Sequence, residues 1–148
     1  MSVDARVSKD LVETLRDGQE GFAKAAEKLA DSDAPEIGAT FRGYSEQRRQ
    51  FADELEKLAQ SYGDDVDESG SAVGALHRGW ISVKDAVTGS SPEAVLKAAE
   101  SGESHAVTEY KKALDAGIST GLRDVVARQY RDVVAAHDAV RSLADAHS

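Results

Sequence analysis

The stretch FRGYSEQRRQF, residues 41–51, decides the fold. It lies in a longer segment whose large side chains recur at alternating steps of four and three, the spacing of one face of an α-helix. That face consists of Ile37, Phe41, Tyr44, Arg48, Phe51, Leu55, Leu58 and Tyr62. Arg48 is the exception, because it places a charge at the midpoint of an otherwise apolar and aromatic stripe. The segment therefore predicts a long amphipathic helix with a polar group near its centre.

The rest of the chain repeats this helical pattern. The sequence has 148 residues, only two prolines and 5% aromatic residues, a composition typical of helical bundles. We expect one all-α domain over residues 1–148, with Ser8 capping the first helix. The predicted helices cover residues 8–30, 34–62, 71–87, 92–115 and 119–146. Short loops join the first two and the last two, which predicts two antiparallel hairpins linked by a long crossover that contains a short fifth helix.

One long crossover between two helical hairpins is the ferritin-like topology. An internal repeat supports it: DGQEGFAKAAEKL from Asp17 superposes on SGESHAVTEYKKAL from Ser101, with Gly18 on Gly102. We interpret the two hairpins as pseudo-twofold halves. The alternative is that any two amphipathic helix pairs match at heptad spacing.

Charge and cysteine content exclude several classes of function. The formal net charge of −9 disfavours binding to nucleic acids and to anionic membranes. The absence of cysteine excludes disulfides and thiol chemistry. The N-terminal stretch MSVDARVSKD lacks the apolar core of a signal peptide, and no apolar run reaches membrane-spanning length. We therefore expect a cytoplasmic protein.

Arg48 requires a partner if it is buried, because an isolated charge in an apolar core is very costly. Glu103 reaches a similar level on a neighbouring helix, so we predict an ion pair between them. Gln19, Tyr44 and Gln129 are predicted to complete this buried polar centre. The rival interpretation is that Arg48 extends along the helix surface to solvent.

Di-iron proteins of ferritin-like fold bind metal at mid-bundle through inward-facing Glu residues and Glu-x-x-His motifs. No Glu-x-x-His occurs in this sequence. The main prediction is therefore a bundle without cofactor. The alternative is a non-standard iron or manganese site formed by Glu103, Asp132 and His137, in a metal-binding protein or oxidoreductase.

The crossover contains the sequence ALHRGW, residues 75–80. One interpretation is a lid helix anchored on the bundle by Trp80. The other is a docking face for a partner protein, with His77 and Arg78 exposed beside Trp80.

Four stretches resemble a bacterial ferritin-like four-helix-bundle family of unknown function. They are ETLRDGQEGF (residues 13–22), YSEQRRQFADEL (44–55), ALHRGW followed by VTGS (75–80, 87–90), and RQYRDVVAAHDAVRSL (128–143). The resemblance implies the fold and brings almost no assigned activity. The expected function is a non-catalytic bundle with a structural, protein-interaction or stress-related role, acting through an unknown protein partner or self-association.

Overall fold

The computed structural model describes residues 2–63 and 91–147, and in these ranges the chain is all-α without strands. Its helices are α1 (Val3–Ala30), α2 (Pro35–Ser61), α3 (Pro92–Leu114) and α4 (Thr120–Ala146). The bounds of α2, α3 and α4 lie within one residue of the predicted ones. The predicted helix at 71–87 lies outside the described residues. None of the described helices combines the length and apolarity needed to cross a membrane.

Helix α1 begins earlier than the predicted start at residue 8. The Ser2 side chain caps it by accepting a hydrogen bond from the Ala5 backbone N–H at 3.0 Å. Ser8, the expected cap, is buried within the helix. The additional turn forms because Ala5 and Val7 are buried against the rest of the protein, and this tertiary burial stabilises helical residues ahead of Ser8.

Two apolar clusters fix the directions of the four helices. The first unites the N-terminal halves of α1 and α4 with the C-terminal halves of α2 and α3, while the second unites the opposite halves. Helix α1 therefore runs antiparallel to α2 and α3, and α4 runs antiparallel to the same two helices. The packing is most extensive between α1 and α2, and α2 and α4 pack far less closely than α3 and α4 or α1 and α3.

The two clusters leave a level between them at mid-bundle. Phe22 and Phe41 pack edge to face at 5.2 Å in the second cluster, and Leu15 and Leu55 are buried in the first. Arg48 is buried between these two levels of α2. The fold therefore places a charged side chain where the apolar packing is interrupted.

The beginning of α4 is tied to the beginning of α1. Asp4 accepts two hydrogen bonds from Ser119, one from its backbone N–H at 2.9 Å and one from its hydroxyl at 2.5 Å. Ser119 is the N-cap residue of α4. A carboxylate at this position favours the helix because it faces the positive end of the helix dipole.

Two glycines of α2 allow a test of this packing. Replacing Gly43 by Ala should raise the free energy of unfolding by about 1 kcal/mol through helix propensity, because a Cβ there meets nothing within 4 Å. Gly38→Ala should gain less, since its Cβ would lie 3.1 Å from the Ala26 carbonyl oxygen. Urea unfolding of both variants measures the difference. Equal gains would contradict the close approach of α2 to α1.

Candidate functional site

Arg48 and Glu103 form a bidentate ion pair at the centre of the protein. Arg48 Nη1 donates to Glu103 Oε1 at 2.5 Å, and Arg48 Nη2 donates to Glu103 Oε2 at 2.7 Å. The side chains are 1% and 0% exposed, respectively. Two parallel charge-assisted hydrogen bonds in a water-excluded setting are the geometry that satisfies a buried guanidinium.

Other groups complete the environment of the guanidinium. Arg48 Nε donates to the Gln47 side-chain oxygen at 3.1 Å. The Arg48 Cζ atom lies 5.4 Å from the centroid of the Phe22 ring, within the range of a cation–π interaction. Gly18 faces the same side chain, since a Cβ on Gly18 would lie 3.6 Å from Arg48 Cγ. Helix α1 therefore contributes an aromatic face and a residue without a side chain, which together accommodate the arginine.

Electrostatics keep Arg48 charged. Desolvation by burial acts to lower the pKa of Arg48, but the charge and hydrogen bonds of Glu103 outweigh it and raise the pKa above its ordinary value. Arg48 therefore stays protonated near neutral pH.

Gln129 is buried, but it belongs to a different hydrogen-bond network from the predicted one. The Tyr110 hydroxyl donates to Gln129 Oε1 at 2.7 Å, and Gln129 Nε2 donates to Glu54 Oε1 at 2.9 Å and to the Phe51 carbonyl oxygen at 3.3 Å. Glu54 in turn pairs with Arg128 near the surface. The hydrogen bonds of the buried Gln129 side chain therefore go to Tyr110 and α2 and not to the Arg48–Glu103 pair.

Gln19 also lies away from the ion pair. Its side-chain oxygen accepts a hydrogen bond from Arg16 Nη1 at 3.1 Å, along the seam of α1 and α2. Arg16 Nη2 donates to Asp53 at 2.8 Å and to Glu56 at 3.0 Å in the same seam. The prediction of Gln19 as a member of the centre is therefore wrong, and this half-buried arginine network was not predicted at all.

Tyr44 lies beside the centre without a hydrogen bond to it. Its ring packs at 5.3 Å from the Phe22 ring and 6.3 Å from the Phe41 ring. Burial and the charge of Glu103 raise the pKa of Tyr44, while Arg48 opposes them. The tyrosine therefore contributes aromatic packing and feels the field of the pair.

The alternative metal ligands do not converge. Both oxygens of Glu103 are bonded to Arg48, and Asp132 is exposed. The Nε2 atom of His137 lies 3.0 Å from the Ser104 hydroxyl at the seam of α3 and α4. Within residues 2–63 and 91–147, no group of three or more His, Asp or Glu side chains could hold a metal ion. Trp80, His77 and Arg78, the predicted anchor of the crossover, lie outside the described residues.

Fold and site together define a class: an all-α protein of packed helices with a buried arginine–glutamate pair at its centre. The chain belongs to the family described as Domain of unknown function (DUF2383), whose model matches residues 6–116. The matched range includes α1, α2 and α3 and ends before α4. No curated protein sequence matches the chain. The expectation of a family of unknown function is therefore confirmed.

A double-mutant cycle tests the ion pair. Arg48→Met and Glu103→Gln should each lower the free energy of unfolding by about 3–5 kcal/mol, because each leaves one buried charge without its partner. The double variant should lose much less than the sum of the two. Chemical unfolding of the four proteins measures the coupling energy.

The exposed pair Lys97–Glu93, with 3.2 Å between Nζ and Oε1, provides the control cycle, and its coupling should be no more than about 0.5 kcal/mol. Additive losses for Arg48 and Glu103 would contradict their direct contact.

Alkaline pH tests the burial of Tyr110. Burial raises the pKa of this phenol above its ordinary value of 10.0. Because the folded pKa is raised, this contribution to stability is full below pH 10 and is lost as the pH rises further. The free energy of unfolding should fall above about pH 10, and less steeply in Tyr110→Phe. Unfolding curves across this range measure it, with exposed Tyr62→Phe as control; equal slopes in all three proteins would refute the burial.

Proposed function

We propose that this protein is a non-catalytic, ferritin-like helical bundle with a structural, protein-interaction or stress-related role. In this proposal the Arg48–Glu103 pair occupies the level at which di-iron bundles bind metal. The protein acts through its surface and its fold, and its partner is another protein or a second copy of itself. A cytoplasmic location and a bacterial origin are part of the same proposal.

The helix directions support the ferritin-like part of the proposal. Helices α2 and α3 run parallel, so Gly63 and Ser91 lie at opposite ends of the bundle. The hairpin of α1 and α2 therefore ends at the opposite end of the bundle from the start of α3. A single long crossover between two antiparallel hairpins is the feature that distinguishes ferritin-like bundles from simple up-and-down bundles.

The charge of Arg48 supports the non-catalytic part of the proposal. A divalent cation that took Glu103 from Arg48 would lie about 5 Å from a guanidinium without a counter-ion, which repels it by several kcal/mol at an effective dielectric constant of about 20. Glu103 and Asp132 are the carboxylates that the sequence offers at the expected height. Asp132 is exposed, and both oxygens of Glu103 are already bonded to Arg48. A metal ion bound by Glu103 would leave Arg48 buried without a counter-ion, which costs about 3–5 kcal/mol.

Metal analysis tests the proposal. The full-length protein is incubated with Fe(II) or Mn(II), dialysed, and analysed by mass spectrometry for metal content. We expect far less than one metal ion per chain, because the central carboxylate is committed to Arg48.

Stoichiometric metal that is retained by the wild type and lost in Glu103→Ala would overturn the proposal in favour of a metal-binding protein or oxidoreductase. Glu100→Gln, on the same helix but half-buried at the surface, is the matched control and should behave as the wild type. Circular dichroism of each variant verifies that its helices are intact.

A further inference from the structure

A groove runs between the N-terminal part of α1 and the C-terminal end of α3. Its volume is about 330 Å³, at the lower end of the range for small-molecule sites. Val7, Leu11 and Ala113 form an apolar floor, and all three are at least nine-tenths buried. The groove exists because Ala113 and Ala116 present only methyl groups where larger side chains would fill the space.

Charged side chains line the groove in a polarised order. Helices α1 and α3 are antiparallel, so Arg6 lies at the level of Lys112 and Ala116, whereas Glu13 lies at the level of Glu109. One end of the groove is therefore basic and the other acidic. Arg6 and Glu13 are seven residues apart, which corresponds to about 10 Å along the helix.

The charged side chains that line the groove differ in whether they already have a partner of opposite charge. The Glu109 carboxylate lies 3.7 Å from both His105 and Lys112. Within the described part of the chain, no hydrogen bond or ion pair engages the side-chain charges of Arg6, Asp10 and Glu13. With Asp10 between the two ends, the groove offers one cation and two carboxylates to a ligand.

We propose that this groove binds an elongated zwitterion, an aliphatic molecule with a carboxylate at one end and an ammonium group at the other. The carboxylate pairs with Arg6 at the basic end, and the ammonium group pairs with Glu13 at the acidic end. The aliphatic chain covers the apolar floor between them. The proposal is independent of the Arg48–Glu103 pair and of the proposed function.

Binding of 6-aminohexanoate to the ¹⁵N-labelled full-length protein tests this proposal, followed by the backbone amide resonances. We expect saturable shifts confined to α1 near residues 6–13 and α3 near residues 109–116, with a dissociation constant of about 1 mM, as suits a ligand of so few atoms. Hexanoate and hexylamine, which each lack one charge, should bind about fivefold more weakly. The affinity should fall as salt is added.

Variants separate the groove from general surface binding. Arg6→Gln and Glu13→Gln should each weaken 6-aminohexanoate about fivefold, whereas Arg42→Gln and Glu27→Gln, exposed residues outside the groove, should leave it unchanged. Ala116→Leu, which fills the groove from a half-buried position, should weaken binding at least tenfold. Shifts that do not saturate, that spread over all four helices, or that are equal for hexylamine would overturn the proposal.

Discussion

A guanidinium with 1% of its surface exposed constrains every helix around it. Arg48 reaches both oxygens of Glu103 only when α2 and α3 are held at one relative height, and α1 must present Phe22 and Gly18 at that same height. Replacing a buried ion pair by apolar residues is often neutral or stabilising in other proteins, so the pair is weak evidence for stability itself. Its physical effect here is to destabilise any other relative height of α2 and α3. A shift of one helix against the other by one turn would leave two buried charges unpaired.

This constraint explains why the described helices form two apolar clusters instead of one continuous core. Leucines and aromatic residues fill both ends, and the polar level separates them. On the side of α4, a second buried polar group, Gln129, links Tyr110 to Glu54 and so to the surface. Helices α2 and α4 also pack less closely than α3 and α4 do. Hydrogen bonds therefore take over part of the contact between these two helices that apolar packing provides elsewhere.

The sequence predicts the helices and the ion pair because both can be inferred from the pattern of residues on one face of a single helix. The apolar period locates α2, α3 and α4 to within a residue, and a charge in an apolar stripe demands a partner of opposite sign. The start of α1 could not be predicted, since Ser2 and Ser8 both suit a cap and only tertiary burial of Ala5 and Val7 decides between them. Gln19 was misassigned because it follows Gly18 by one residue, and the resulting rotation of about 100° turns it into the seam with Arg16.

Some features of the site lie within the residues that the family model matches, and others lie beyond them. Arg48, Glu103 and the α1 residues that accommodate them all lie within residues 6–116, and so does the groove between α1 and α3. Gln129 and Arg128 lie in α4, beyond the matched range. The central ion pair is therefore built by the part of the chain that the family model describes. Helix α4 closes the bundle against α3, and through Gln129 it satisfies Tyr110, a polar group that α3 would otherwise bury without a partner.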